Sequence, residues 1–350
     1  MLQTGMGIMS GTSLDGLDLA ICQFSFNEKW NFNIIDAKTI PYSDNWKQKL
    51  STADKLSGID LINLHKEYGK LIGNTANDFI QSFAHKIDFI ASHGHTVFHQ
   101  PDKGLNLQIG DGNVISAITG ITTISDFRSM DIALGGQGAP LVPIGDRLLF
   151  SEYDFCLNLG GFANISFESE NKRIAYDICP VNIILNELAS KTGVAFDKDG
   201  EIGKSGTIHS ELLNTLNNIS YYHQKHPKSL GKEWLTSNFS PLLEDFNIPL
   251  MDKLRTLYEH ISHQITNSIT SGNAKVLITG GGAHNVFLID LLKQKTKANI
   301  VIPTKEIIDF KEAIVFAFLG LRRLRGEINC LASVTGAKID SCGGSMHQLS

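Results

Sequence analysis

Cysteine patterning, long apolar runs and an excess of either charge are all missing from this sequence of 350 residues. Each absence removes a class of function. The five cysteines, Cys22, Cys156, Cys179, Cys330 and Cys342, are odd in number and show no CxxC spacing. Neither a disulfide framework nor a structural zinc site suits that pattern, and reduced thiols in a cytoplasmic protein are the expectation. The longest strongly apolar run, Ala313 to Leu321, is far shorter than the ~20 residues that span a bilayer, so no membrane partner is expected. The first twenty residues lack a basic segment followed by an apolar core, so no secretory signal is expected. Lysine and arginine number 31 against 36 aspartates and glutamates, for a net charge of −5. That balance argues against a general nucleic-acid surface and leaves small anionic ligands open. Two phosphate signatures fail on spacing. Gly5-Met6-Gly7 is followed by Gly11 and lacks the glycine three residues on that a dinucleotide fingerprint needs. Gly203-Lys204-Ser205 looks like the end of a P-loop, but Lys198 stands where the leading glycine belongs.

What is present suits a globular protein of two domains, with 42% hydrophobic and 19% charged residues. Strands are expected near 6–10, 17–25 and 31–40, as an antiparallel meander. Leu61, Leu64, Tyr68, Leu71, Thr75, Phe79 and Phe83 recur at helical spacing and leave Glu67, Lys70 and Asp78 outward. Short strands at 88–92, 105–109 and 122–126 and a helix near 112–119 follow, and a glycine-rich segment at 135–140 punctuates the chain. The second half restarts the theme, with strands near 155–159, 163–167 and 173–178 and a tight turn at Gly160-Gly161. A helix at about 181–191, a polar helix-rich stretch, a long amphipathic helix to 269 and a strand at 275–279 come next. Residues 299–302 read as a strand, the helix from Glu312 as buried on most sides, and residues from Gly343 as a loose tail. The repeat predicts two similar α/β domains with a ligand cleft between them, where the two Gly-turns meet. The first domain is expected over 1–128, completed by 312–350 packing back, and the second over 129–311.

The chemistry centres on a few stretches. The run from Ile8 to Ile21 reads as strand, hydroxyl-bearing turn and strand. Gly11 and Gly16 would permit positive φ, Thr12 and Ser13 supply hydroxyls, and the turn's N–H groups could form an anion-binding nest. Asp15 and Asp18 would repel bare phosphate but could hold a hydrated Mg²⁺ accompanying one; the competing reading is an ordinary hairpin tip. Gly280-Gly281-Gly282 after a buried strand removes every side chain, so backbone can approach a flat ligand. Asp177 ends an apolar strand, where it reads either as a catalytic carboxylate or as the N-cap of the next helix. Cys179 has no basic sequence neighbour to activate it and reads as a packed thiol. His93, His95 and His99 invite a zinc reading that lacks a fourth ligand, and Gly94 and Pro101 suggest a loop there. Arg128, between Asp126 and Asp131, reads as a buried ion pair or a carboxylate anchor. Glu312 reads as the favourable N-terminal acid of a helix or as a ligand-orienting group.

Taken together, the motifs resemble the anhydro-N-acetylmuramic acid kinases, within the actin/Hsp70/sugar-kinase superfamily. The resemblance rests on residues 9–18 (MSGTSLDGLD), Ser92-His93-Gly94-His95-Thr96, Asp126-Phe127-Arg128 and 135–143 (GGQGAPLVP). It continues through 157–165 (LNLGGFANI), 280–285 (GGGAHN) and Glu312-Ala313, in order and over nearly the whole chain.

That resemblance implies two actin-like domains and an ATP- and Mg²⁺-dependent kinase. Gly11, Thr12, Ser13, Leu14, Asp15, Gly16 and Asp18 would face the phosphates, with Gly160, Gly161 and Asn164 in the second half. Gly280, Gly281, Gly282 and Asn285 would lie on the adenosine side, and Asp15 or Asp18 would reach Mg²⁺ through water. Asp177 would be the general base that activates water against the anomeric carbon, after which the freed O6 accepts the γ-phosphoryl group. His93, Asp126, Arg128, Asn182 and Glu312 would hold the sugar, Arg128 through its lactyl carboxylate. A homodimer and a role in bacterial murein recycling are implied as well. The chain departs from the family beside Asp177, where Ile178, Cys179 and Val181 replace a threonine and two glycines, so a narrower pocket or another amino sugar is expected to be an alternative. His95 stands where glutamine is common. A non-catalytic nucleotide or muropeptide sensor is the other alternative.

Overall fold

The computed structural model describes residues 2–11, 13–81, 83 and 86–349. Its contacts divide the chain into two compact units, Met1–Leu149 with Phe310–Ser350, and Phe150–Asp309. The first unit is therefore built from both ends of the chain. It reaches Leu149, beyond the boundary expected at 128, because the intervening segment is tied to it by buried polar contacts. Asp131 Oδ2 accepts from the Gly138 N–H at 2.8 Å and its Oδ1 from the Thr335 hydroxyl at 2.7 Å. Lys311 and Asp146 form a buried ion pair at 2.7 Å.

Seven strands build most of the first unit: β1 (Gln3–Met9), β2 (Gly16–Asn27), β3 (Lys29–Pro41), β4 (Phe89–Ser92), β5 (His95–Gln100), β6 (Leu105–Ile109) and β7 (Thr123–Ser125). The main sheet runs β3-β2-β1-β4-β7, ending on a C-terminal strand, Ser345–His347. β1 pairs antiparallel with β2 and β2 with β3, whereas β1–β4 and β4–β7 are parallel. The tail expected to be loose is thus an edge strand antiparallel to β7. His347 anchors it, with Nε2 2.9 Å from Ser125 Oγ and Nδ1 3.0 Å from Asn113 Oδ1. β5 and β6 form a separate hairpin, so His95 and His99 lie on a strand and not on the expected loop.

The helix Gly58–Gln81 buries Leu64, Tyr68, Ile72 and Ala76 one turn apart, and leaves Glu67, Lys70 and Asp78 exposed. The last long helix, Lys305–Leu324, starts two turns before Glu312. Its run from Ala313 to Leu319 is wholly buried. It packs so closely on β1 that a Cβ at Gly7 would stand 1.8 Å from the Ala313 carbonyl oxygen. Phe316 and Phe318 fill the space around it, Phe318 against Phe24 and Trp30, Phe316 against Phe127 and His93.

The second unit holds β8 (Phe155–Leu159), β9 (Phe162–Ser169), β10 (Lys172–Pro180), β11 (Lys275–Thr279) and β12 (Asn299–Val301). Their order is β10-β9-β8-β11-β12. The pairings β8–β9 and β9–β10 are antiparallel, β8–β11 and β11–β12 parallel. Strand for strand this repeats β3-β2-β1-β4-β7, so both units share one α/β topology. The core lies between this sheet and the helix Leu250–Ser268, whose Leu254, Leu257, Ile261 and Ile265 are fully buried at helical spacing.

Candidate functional site

In the second unit, the segment from β8 through the start of the helix after β10 folds on itself and meets the distant glycine loop at 280–282. Asp177 lies on β10 at a register shift that falls between Asp177 and Cys179, opposite Asn164 on β9. Asn164 in turn faces Asn158 on β8, across the turn made by Gly160 and Gly161. The chain after β10 folds back on that turn. Val181 and Ile183 donate N–H groups to Gly161 O at 2.8 and 3.2 Å, and Asn182 donates its N–H to Gly160 O at 3.2 Å. Asn182 Nδ2 also donates to Leu159 O at 3.0 Å. The third glycine loop rests on the same spot: a Cβ at Gly282 would lie 2.7 Å from that of Leu159, and one at Gly280 2.5 Å from Asn158 Oδ1. Glycine is required at 280 and 282 by close approach to β8 of the protein itself, where the sequence reading expected approach to a flat ligand, and Gly280 also takes a φ of 81°.

Asp177 is a strand residue and not an N-cap. The helix Asn182–Ser190 begins after Val181 with no side-chain cap. Its carboxylate instead accepts the Leu230 N–H at 2.9 Å, its N–H bonds Lys228 O at 3.2 Å, and its carbonyl accepts the Tyr221 hydroxyl at 2.6 Å. Loss of hydration lifts its pKa above the ordinary carboxylate value, with the Leu230 N–H acting the other way. Ile178, Cys179 and Val181 are all buried in the hydrophobic core. Cys179 and Val181 are absorbed by core packing, and Ile178, also packed in the core, forms part of the wall of a cavity behind the strand. Burial raises the Cys179 thiol's pKa, with Lys228 opposing and Asp177 reinforcing, so it is a packed, un-ionised thiol.

Beside these glycines lies a pocket of about 420 Å³, lined among others by Asn182, Phe196, Tyr258, Gly281, His284 and Asn285. Asn285 caps the helix Val286–Lys295 by accepting the Leu288 N–H at 3.0 Å, while its Nδ2 donates to the Tyr258 hydroxyl at 2.8 Å. Tyr258 donates on to Asp197 Oδ2 at 3.2 Å. Phe196 and Tyr258 offer flat apolar faces to the pocket, and Asn186, Asp197, Lys198 and Asp199 bring polar and charged groups to its wall. Sequence reading missed Phe196, Asp197, Tyr221, Lys228, Leu230 and Tyr258, since none belongs to a motif and contact over many residues places them.

In the first unit the opening turn joins β1 to β2, whose last and first pairs bring Met9 opposite Asp18. Thr12 lies outside the described residues. The expectation of positive φ at Gly11 and Gly16 is corrected: Leu14 takes the left-handed conformation, at 60°. Gly16 is needed for space, because a Cβ there would meet Ile40 O at 2.3 Å. Gly11, Ser13 and Asp15 are accessible, and Asp18 Oδ1 accepts the Thr39 hydroxyl at 2.6 Å. Ser10, just before the turn, is buried against Tyr42, which donates to its Oγ at 2.8 Å, and against His95 Nδ1 at 3.2 Å. Burial takes the His95 pKa down to about 4.

His93 and Arg128 form one unit. His93 Nδ1 donates to Gly94 O at 2.9 Å, which leaves Nε2 to accept from Arg128 Nη2 at 2.8 Å. Burial holds the His93 pKa well below its usual value, Arg128 adds to this and the Gly94 carbonyl opposes it, so the ring is neutral. Arg128 pairs with neither neighbouring acid. Nη1 donates to Gly138 O at 2.6 Å, while Asp126 accepts from the Ser129 hydroxyl at 2.6 Å. Burial lowers the Arg128 pKa, and the Glu312 carboxylate and Cys330 raise it. Glu312 sits inside the helix Lys305–Leu324 and not at its start. Its side chain meets solvent, yet dense surroundings raise its pKa by desolvation, with Arg128 opposing and Asp18 reinforcing. His93 and Asp126 also line a pocket of about 230 Å³ with Gln108, Asn113 and Ser125. The three histidines of the zinc reading go separate ways, His99 to Asn106 at 3.2 Å. Among the described residues no group of three His, Cys, Asp or Glu side chains could hold a metal ion, and no helix is long and apolar enough to cross a membrane.

Comparison with known proteins gives these arrangements a context. A family profile described as anhydro-N-acetylmuramic acid kinase matches residues 3–348. A protein of that name from Vibrio cholerae is 34% identical over 357 residues, covering 95% of each chain. One from Pasteurella multocida is 36% identical over 359 residues, covering 95% of this chain and 93% of its own. Among solved structures, the (R)-2-hydroxyglutaryl-CoA dehydratase component A of Acidaminococcus fermentans aligns with a TM-score of 0.46 at 12% identity, over 90% of this chain and 96% of its own. A ROK family glucokinase from Streptomyces griseus, in complex with glucose and AMPPNP, aligns at 0.41 and 9% identity, over 90% and 98%.

Proposed function

Because this chain belongs to the anhydro-N-acetylmuramic acid kinase family, we propose that it opens 1,6-anhydro-N-acetylmuramic acid with water and phosphorylates the freed O6 at the expense of ATP. The observation that carries the reading is the setting of Asp177. It is a partly desolvated carboxylate with a raised pKa, held by a backbone N–H and paired with Asn164 on β9. Asp177 takes a proton from water as its oxygen bonds to the anomeric carbon. The C1–O6 bond breaks, the released O6 attacks the γ-phosphorus, and ADP leaves with the bridging oxygen. Asp177 then passes its proton to solvent, so water, sugar and ATP give the sugar 6-phosphate, ADP and a proton.

The residues suit the remaining parts. The pocket beside Gly280–Gly282, with Tyr258, Phe196 and Asn285, has the size and flat walls for an adenosine. The turn at Gly160-Gly161 and the stretch from Gly11 to Asp18 would hold the phosphates. Mg²⁺ would arrive with ATP and neutralise phosphate charge, touching Asp15 or Asp18 through water. The neutral His93 ring, accepting from Arg128, and the Gly138 carbonyl orient the guanidinium with no carboxylate hydrogen-bonded to it and Glu312 acting only at longer range, which suits capture of the sugar's lactyl carboxylate. Asp126, Asn182 and Glu312 complete the sugar contacts. Murein recycling in the cytoplasm is the setting in which ATP and this sugar meet, and a homodimer is part of the proposal. Specificity for another amino sugar rested on Ile178, Cys179 and Val181, and their burial in the core withdraws that support.

The test is to incubate the protein with ATP, Mg²⁺ and the anhydro sugar in ¹⁸O-water. The expected product has gained phosphate and one water, with a single ¹⁸O on the anomeric carbon. No product from this sugar, with turnover of other amino sugars or none at all, would overturn the reading.

A further inference from the structure

A cavity of about 550 Å³ lies in the second unit behind the strand that carries Asp177, and no step of the reaction above uses it. Tyr176 and Ile178, on either side of Asp177, form part of its wall, while Asp177 does not. The cavity therefore lies beside the reacting carboxylate without including it, and the segment with Lys228 joins the two. Lys225 and Lys228 bring positive charge to it, the rings of His223, His226 and His263 line it as well, and no carboxylate does. In a chain of net charge −5 such a concentration is not a reflection of composition.

Lys228 is the telling member. Its Nζ donates to Tyr221 O at 3.2 Å and stands 4.7 and 5.5 Å from the ring centroids of Tyr221 and Tyr176. Among the described residues none of its contacts is a carboxylate. A half-buried ammonium without a countercharge is costly, and an anion in the cavity would compensate it. The floor is arranged to donate as well. Asn217 Oδ1 is occupied by His260 Nδ1 at 2.7 Å and Gln264 Nε2 at 3.0 Å, which leaves its amide nitrogen to the cavity. The Tyr222 hydroxyl fixes the other side of His260 at 3.0 Å.

We propose that this cavity binds a phosphate group, either inorganic phosphate or the phosphoryl end of a phosphate monoester, at a site distinct from the reacting centre. Two lysines and donor side chains suit a multiply charged tetrahedral anion, and the volume leaves room for the organic part of an ester. The same segment that lines the cavity holds Asp177. The Lys228 carbonyl accepts the Asp177 N–H, Leu230 donates to its carboxylate, and Tyr221 donates to its carbonyl. Occupancy therefore bears on the position of Asp177, a consequence that rests on the role given to that residue above; the binding itself does not.

Trp234 supplies the readout, its ring 5.3 Å from that of Tyr221. Trp30 and Trp46 are the only other tryptophans in the sequence. In full-length protein carrying Trp30→Phe and Trp46→Phe, saturated with a non-hydrolysable ATP analogue and Mg²⁺, inorganic phosphate and glucose 6-phosphate are titrated separately at constant ionic strength. The expected result is a saturable change in Trp234 emission in at least one arm, the tighter arm identifying the source of the phosphate group. Lys225→Gln, at an exposed position that does not threaten folding, should weaken the midpoint by about tenfold or more. The absence of a saturable change in both arms overturns the proposal, as does a midpoint unmoved in Lys225→Gln. A signal seen without the ATP analogue but abolished by it belongs to the nucleotide site and overturns the proposal too. Turnover is not measured, so the kinase reading stands or falls separately.

Discussion

A carboxylate that removes a proton from water works best when its pKa is lifted toward the pH of the reaction. Asp177 has that setting, since desolvation raises its pKa and a single backbone N–H, from Leu230, restrains the rise. Replacing Asp177 by Asn should lower kcat by on the order of 10²–10⁴-fold, the usual weight of a positioned base. Nucleotide affinity, followed by calorimetry, should change little. Stability separates this from a structural defect. A folded-state pKa above the unfolded one means that ionising Asp177 costs the native state, a cost that sets in as pH rises through those two values. At neutral pH the Asn variant should therefore melt at the same temperature as the parent or higher. In the pH profile of kcat/KM, the acid limb should lie above the ordinary aspartate value of 3.8, with activity falling as the base is protonated. An acid limb below that value would remove Asp177 from the role. Asp111 behaves in the opposite sense. Burial alone would raise its pKa, but the Lys66 ammonium and the Val114 and Asn113 N–H groups hold it at about 2, against 3.8. Its stabilisation is present above pH 3.8 and is lost as pH falls toward 2. As the N-cap of the helix Gly112–Thr119, Asp111→Ala should cost about 1 kcal/mol at neutral pH in urea unfolding.

Among the elements, the helix Lys305–Leu324 sets the first unit's tolerance for change. Its backbone approaches β1 at Gly7 within the space a methyl group would need. Gly7→Ala should force the two apart and destabilise by roughly 1–3 kcal/mol, the usual range for overpacking, read from the denaturation midpoint. An unchanged midpoint would show that the helix does not press on β1 as described. β10 carries a different burden. Ile178 and Cys179 on the strand, and Val181 just after it, fill the core of the second unit, while Asp177 immediately before them is half-exposed. The bulky residues that stand beside the proposed base are therefore compatible with an open site, because alternation and the register shift send them inward.

For the molecule as a whole, the discontinuous first unit has a direct consequence. Residues 310–350 supply Phe316 and Phe318 to its core and an edge strand to its sheet. A chain ending at Asp309 would leave the apolar faces of β1 and β2 uncovered. It should lose cooperative unfolding of that unit, seen by circular dichroism, and aggregate in size-exclusion chromatography. Retention of a sharp two-unit unfolding profile would contradict this assembly. The second unit, continuous from Phe150 to Asp309, has no such dependence on the far end of the chain.

Local pattern determined much of this protein. The α/β class, the duplicated meander followed by alternating helices and strands, the helix on Leu64 and Tyr68, and the glycine loops at 160–161 and 280–282 follow from periodicity and turn chemistry, which act over a few residues. The ordered motifs likewise place the chain in its family. Tertiary structure alone decided what depends on neighbours distant in sequence. It tied residues 129–149 to the first unit through Asp131, Asp146 and Lys311. It turned the tail from Gly343 into an edge strand through His347, and moved the start of the last helix from Glu312 back to Lys305. It paired Arg128 with a neutral His93 where two adjacent acids suggested an ion pair, and it gave the left-handed position of the opening turn to Leu14. It also surrounded Asp177 with Tyr221, Lys228 and Leu230, whose approach is set by a chain reversal of more than forty residues. Desolvation and hydrogen bonding fall off over a few ångströms, so the pKa of a base is a property of the folded neighbourhood and not of the residues beside it in the chain.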